Sequence, residues 1–160
     1  MELKIFRFNQ LQVNTYLLID ESTRDAIIID PGCQSDDEKA LLKEYIEKNN
    51  IRLVRMLNTH LHFDHVYGNR FIEETYGIGA EGAKEDMFFL NHYTDLLALF
   101  DMPLDEDALP LTNKLCEGDV ISVGDIHLKV LQVPGHSPGS LAFYDEASKR
   151  ISDVNSAFTK

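Results

Sequence analysis

Three of the six histidines in this 160-residue chain fall with one aspartate inside six positions, His60-x-His62-x-Asp64-His65. Imidazole nitrogen with carboxylate oxygen is a donor set for a divalent metal, zinc first, with iron or manganese next. In a helix His60 and His62 would point about 200° apart and could not share an ion. In extended backbone, residues i and i+2 point to the same side, and both rings can approach one centre. Asp64 and His65 fall where the chain turns into a helix and face another direction, so the spacing suits two adjacent metal positions better than one. A lone histidine beside a strand is usually a hydrogen-bonded polar residue. Three histidines with an aspartate give folding nothing that Ser or Asn would not, so the metal reading is the stronger one.

A second signal is Val133-Pro134-Gly135-His136-Ser137-Pro138-Gly139-Ser140. Two prolines and two glycines fix a tight turn around one histidine, and its small neighbours leave room for approach. Alone it reads as a strand connection; beside the first cluster it supplies a third ligand for His60 and His62. Three histidines with an open position make a catalytic zinc pattern. Zinc lowers the pKa of bound water to about 7 and polarises a carbonyl. A thioester suits such a site, because its thiolate leaving group has a pKa near 8.5 and needs little protonation, at about the value of a free thiol. Asp64 is placed to orient the attacking hydroxide as well as to bind metal. His92 and His127 are expected to face solvent, and Cys33 and Cys116, in no ligand spacing, to be bystanders.

The elements that must position these residues are legible in outline. Residues 3–8, 13–19 and 26–29 read as strands, the last stopped by Asp30-Pro31-Gly32. Ser35 and Glu38 form a capping box before an amphipathic helix carrying Leu42, Tyr45 and Ile46. Residues 51–58 read as a buried strand that delivers the histidine cluster. Residues 66–76 read as a helix ending at Gly77, 84–100 as a longer helix, and 102–116 as a surface excursion. Ile126, Leu128 and Val130 alternate along a strand, and 141–144 read as another. Strands interleaved with helices make an α/β or α+β domain, residues 1–160, with no repeat or linker.

Composition narrows the classes. The chain is 44% hydrophobic and 26% charged, as in ordinary globular domains. Fifteen basic against twenty-seven acidic residues leave a formal charge of −12. That acidity argues against nucleic acid and against an anionic membrane surface. The hydrolase chemistry above carries the expectation of a small-molecule substrate. No apolar run reaches the roughly 18 residues of a spanning helix, and the first residues lack a secretory pattern, so a cytoplasmic location is expected.

The motif His60-x-His62-x-Asp64-His65 after a hydrophobic strand and Thr59 resembles the signature of the metallo-β-lactamase superfamily. Asn14-x-Tyr16, Ile28-Ile29-Asp30-Pro31-Gly32, Gly68-Asn69 and Pro134-Gly135-His136-Ser137-Pro138-Gly139-Ser140 follow in the family's order. The later pieces are most similar to its hydroxyacylglutathione hydrolase (glyoxalase II-like) branch. The resemblance implies a four-layer αβ/βα sandwich with one or two zinc ions at an edge of two packed sheets. His60, His62 and His136 would hold the first metal, and Asp64 and His65 would contribute to the second. Ile151-Ser152-Asp153 stands where the family has Ser/Thr-Gly-Asp, making Asp153 the candidate bridging ligand. The family's last histidine ligand has no counterpart before Lys160, so the second half of the sandwich is expected to be incomplete. An uncovered apolar face on the second sheet, and association into a homo-oligomer, are the corresponding expectations. Two other functions remain beside the hydrolase: a mono-iron persulfide dioxygenase-like enzyme, and an inactive metal-binding or oligomer-forming module.

Overall fold

The computed structural model describes residues 1–102, 106–153 and 156–159, with side chains through residue 150. Two sheets face one another. The first has six strands in the order β1 (Glu2–Phe8), β2 (Val13–Ile19), β3 (Asp25–Ile29), β4 (Arg52–Leu57), β5 (Ala80–Gly82) and β6 (Asn113–Lys114). β1 to β3 form an antiparallel meander, and β3 to β6 run parallel. The second sheet is antiparallel, with β7 (Val120–Val123), β8 (Ile126–Gln132), β9 (Leu141–Asp145), β10 (Arg150–Asp153) and β11 (Ser156–Thr159) in sequential order.

Period-two alternation decides which layer each side chain enters. In β2 and β3, Leu17, Ile19, Ala26 and Ile28 face the helices, while Tyr16, Leu18, Ile27 and Ile29 face the second sheet. These strands are buried on both sides, which is why they read as continuous apolar runs. Helix α1 (Asp36–Lys48) covers the outer side with Leu42 and Ile46, and its capping box of Ser35 and Glu38 is formed. The second sheet has one buried face. Ile126, Leu128, Val130, Leu141 and Phe143 all close on the inter-sheet core, while Ser122, His127 and Lys129 are exposed. The outward face is mixed, with Val120 exposed beside Ser122, His127 and Lys129, so among the described residues it is not the expected continuous, uncovered apolar face; alternation sends most of the apolar positions inward.

Two helical expectations and one loop expectation are also corrected. The helix expected over 66–76 is two, α2 (Phe63–Val66) and α3 (Asn69–Tyr76), because the Gly68 amide donates to the Pro31 carbonyl (2.7 Å). The helix expected over 84–100 is a 3-10 turn, Lys84–Asp86, then α4 (Met87–Asn91) and α5 (Tyr93–Leu99). The break falls at His92, which leaves helical geometry at φ −117°. Histidine and asparagine are mediocre helix formers, so little resists it. The excursion over 102–116 contains β6, whose backbone pairs with β5 and carries Leu115 into the core. Two polar residues, Asn113 and Lys114, leave no periodicity to read.

Candidate metal centre

The histidine cluster leaves the C-terminal end of β4, where parallel strands commonly present ligand-binding loops. Asn58 and Thr59 anchor it. The Asn58 amide donates to the Glu81 carbonyl on β5 (2.9 Å), and the Leu141 amide opening β9 donates to the Thr59 carbonyl (2.7 Å), so the two sheets converge here. His62 has extended backbone (φ −65°, ψ 148°), which turns it to the same side as His60. Their ring centroids lie 4.7 Å apart, and His136 approaches to 4.8 Å from each. One ligand atom from each of His60, His62 and His136 falls within 4.8 Å of the others. A second such group is Asp30, His60 and His65.

Asp30 organises the buried side. Its Oδ1 accepts the Thr59 amide (2.7 Å), and its Oδ2 accepts the Thr59 hydroxyl (2.6 Å) and lies 2.9 Å from His65 Nδ1. Its backbone is left-handed (φ 51°), held by the Thr15 hydroxyl donating to its carbonyl (2.6 Å). The network fixes a tautomer. The single Thr59 hydroxyl proton goes to Asp30, so Thr59 Oγ1 must accept from His60 Nδ1, 3.1 Å away. His60 Nε2 is then a bare lone pair. It is buried and has no hydrogen-bond partner. A buried polar atom without a partner is costly. An ion between the rings satisfies it, and an imidazole whose other nitrogen donates to the protein is the usual form of a metal ligand.

Electrostatics agree. Burial, followed by the charges of His65, His62 and His136, pushes the His60 pKa down to about 2. His62 is lowered by burial and by His136, against the opposing Asp64 and Asp86 carboxylates. Both rings are therefore neutral at pH 7 and available as donors. Burial also works against the charged form of His65, but the Asp30 carboxylate beside it, with Asp64, more than offsets this and raises its pKa.

His60, His62 and His136 come together. His65 joins His60 on the Asp30 side, with Nε2 3.5 Å from Asp64 Oδ2. Asp64 lies beside the cluster but in neither three-residue group among the described residues. Asp153 is in β10, and its side chain lies outside the described residues. His92 and His127 are exposed, and Cys33 is buried. Sequence reasoning missed the roles of Asp30, Thr59 and Asp86. Asp30 had a signal, a carboxylate at the end of an apolar strand before Pro-Gly; Asp86, in an acidic stretch with no motif, had none.

The Metallo-beta-lactamase superfamily model matches residues 8–151. The chain is 33% identical over 146 residues to a "Hydroxyacylglutathione hydrolase" of Pelagibacter ubique, covering 90% of this chain and 50% of that protein. Among solved structures it is similar to BLEG-1 B3 metallo-beta-lactamase, at TM-score 0.78 and 25% identity over 92% of this chain and 68% of that one. It is also similar to TTHA1623 in a di-iron-bound form, at TM-score 0.75 and 26% identity over 92% and 69%. The chain spans about half to two thirds of the length of the first curated relatives it matches. With the matched segment running from β1 to β10 and including every histidine of the cluster, this chain belongs to the metallo-beta-lactamase superfamily.

Proposed function

We propose that the chain is a metal-dependent hydrolase of a small thioester or similarly activated ester. The observation that carries the reading is His60 Nε2, a buried lone pair without a partner, set between His62 and His136. These three histidines would hold one ion, and His65 with Asp64 would contribute to a second. Asp153 is proposed as the bridging ligand on the resemblance of its motif. A divalent ion bound there supplies Lewis-acid activation of a water and of the attacked carbonyl. Zinc fits the nitrogen donors first; the di-iron form of a structural relative keeps iron in view.

The chain's own residues do the rest. Asp30 holds His65 by Nδ1, which leaves Nε2 on the side of Asp64, 3.5 Å from its Oδ2, where the two would bind together. Asp64 is held from behind, its carbonyl accepting from Asn9 Nδ2 at 3.1 Å, and its carboxylate, beside His65 Nε2, would orient a water and take its proton. A thioester leaving group departs as a thiolate and asks for no general acid. The 33% identity to a hydroxyacylglutathione hydrolase supports the thioester class.

Elemental analysis of the purified chain, beside thiol release from a panel of acyl thioesters, tests the reading. Zinc at one or two per chain with chelator-sensitive thiol release is expected. One iron per chain with oxygen uptake on a persulfide, and no thioesterase activity, would replace it with the dioxygenase reading. Metal binding without turnover of either substrate would leave a binding module. Sedimentation of the same sample tests the companion proposal that the chain self-associates.

A further inference from the structure

Asp86 ends the 3-10 turn after β5 and is fully buried. Its carboxylate accepts from donors on two distant segments. Oδ2 takes the Leu61 amide (3.2 Å) and the Ser137 hydroxyl (2.7 Å), and Oδ1 takes the Gly139 amide (2.6 Å). Leu61 stands between His60 and His62, and Ser137 directly follows His136. One carboxylate thus ties the histidine loop of the first sheet to the histidine turn of the second. Gly139 is shaped for this contact: a Cβ there would lie 2.7 Å from both Cγ and Oδ1 of Asp86. The turn is also closed on itself, with the Ser137 amide donating to Ser140 Oγ (3.1 Å). His136 is exposed, so its position depends on how this turn is anchored.

We propose that Asp86 is a positioning residue that sets where His136 stands relative to His60 and His62, and thereby the affinity of the three-histidine group for a divalent ion. The inference rests on the metal reading above. A carboxylate is required because all three partners donate and an ionised carboxyl only accepts. An asparagine brings two N–H groups of its own. The Ser137 hydroxyl can reverse and accept one, but the Leu61 or Gly139 amide then faces a donor. With that bond lost, the His136 turn is no longer held at ligand distance before the ion arrives, and binding must order it.

The test is a zinc titration against a competing chromophoric chelator, using the full chain as wild type, Asp86→Asn and Leu128→Ala. Leu128 lies in the inter-sheet core, so its truncation lowers the melting temperature without touching the site. Asp86→Asn is expected to bind zinc about 10-fold to 100-fold more weakly, the range for outer-shell partners of metal ligands. Its cobalt form should show an altered visible spectrum, whereas Leu128→Ala keeps wild-type affinity and spectrum. Wild-type affinity in Asp86→Asn, or an equal loss in Leu128→Ala, overturns the proposal and leaves the metal reading standing. If Asp86→Asn does not fold, Ser137→Ala carries the test: weakened binding supports the proposal and unchanged binding overturns it. A wild-type chain that binds no zinc, iron or manganese overturns the metal reading itself, and this inference with it.

Discussion

At the end of the sandwich away from the histidines, Asp20 does for two turns what Asp86 does for the two ligand loops. It lies just past β2 and is 2% exposed. Its Oδ1 accepts the Ser22 and Thr23 amides (3.0 and 2.8 Å), and its Oδ2 accepts the Asp125 amide from the β7–β8 turn (2.7 Å). Here too a glycine makes the room: a Cβ on Gly124 would lie 2.5 Å from Asp20 Oδ2. Each end therefore joins sheet to sheet through a buried carboxylate facing a bare backbone. The ends differ in what is left over. Around Asp20 the local donors close on one carboxylate; beside Asp86, four histidines converge and His60 Nε2 has no protein partner. The clamp is architecture, common to both ends, and the unsatisfied lone pair is what marks one of them for chemistry.

The largest effect that could break this contrast is loss of the ion. His60→Ala with His62→Ala removes two of three clustered donors, so metal content by elemental analysis should fall to background. An Asp20→Ala chain should keep the wild-type content. Chelation should also lower the melting temperature of the wild type, since an ion at about 1,000 times its Kd adds about 4 kcal/mol to the folded state. The double variant should show no such shift. Full metal content in the double variant would remove the three-histidine assignment.

Asp20 should show the complementary behaviour, a stability cost that is the same with and without metal. Its pKa is lowered first by the Ser22 hydroxyl, then by the Asp125 and Thr23 amides. A carboxyl lower in the folded than in the unfolded chain contributes stability that is fully present above the unfolded value, about 3.9, and is lost as pH falls through that value toward the folded one. In chelator, stability of the wild type should therefore fall more steeply below about pH 4 than that of Asp20→Asn. Denaturant midpoints at a series of pH values read the difference; parallel curves would mean that Asp20 is no clamp.

The two ends were unequally legible in the sequence. His60, His62, Asp64, His65 and His136 announce themselves because their residue types are scarce and closely spaced, and the period-two strands fix which way Ile126, Leu128 and Val130 turn. The carboxylates that hold the ends together do not. Asp20 and Asp86 are two of twenty-seven acidic residues, and what singles them out is partners 105 and 51 residues away. The same limit explains β6 and the break at His92. Elements of two to five residues are set by the contacts they make, and a short window carries little periodicity.

The smallest expected effect at the site concerns Cys33, three residues beyond Asp30 and close enough in sequence to invite a nucleophilic role. Its side chain is fully buried in the core cluster that holds Leu42, Ile46 and Ile72. A Cβ on Gly68 would come within 2.6 Å of it, so the sulfur fills the space under the Gly68 backbone. Burial pushes the thiol up to about 12, Lys39 only partly opposing, and at neutral pH the thiolate that a nucleophile needs is essentially unpopulated. Cys33→Ser should cost about 1–3 kcal/mol in denaturant unfolding, because a hydroxyl is left buried where sulfur packed. Metal content and thioester turnover, measured below the melting temperature, should match the wild type. Abolished turnover with metal content intact would make Cys33 part of the chemistry, and would move the boundary between architecture and site three residues further along the chain.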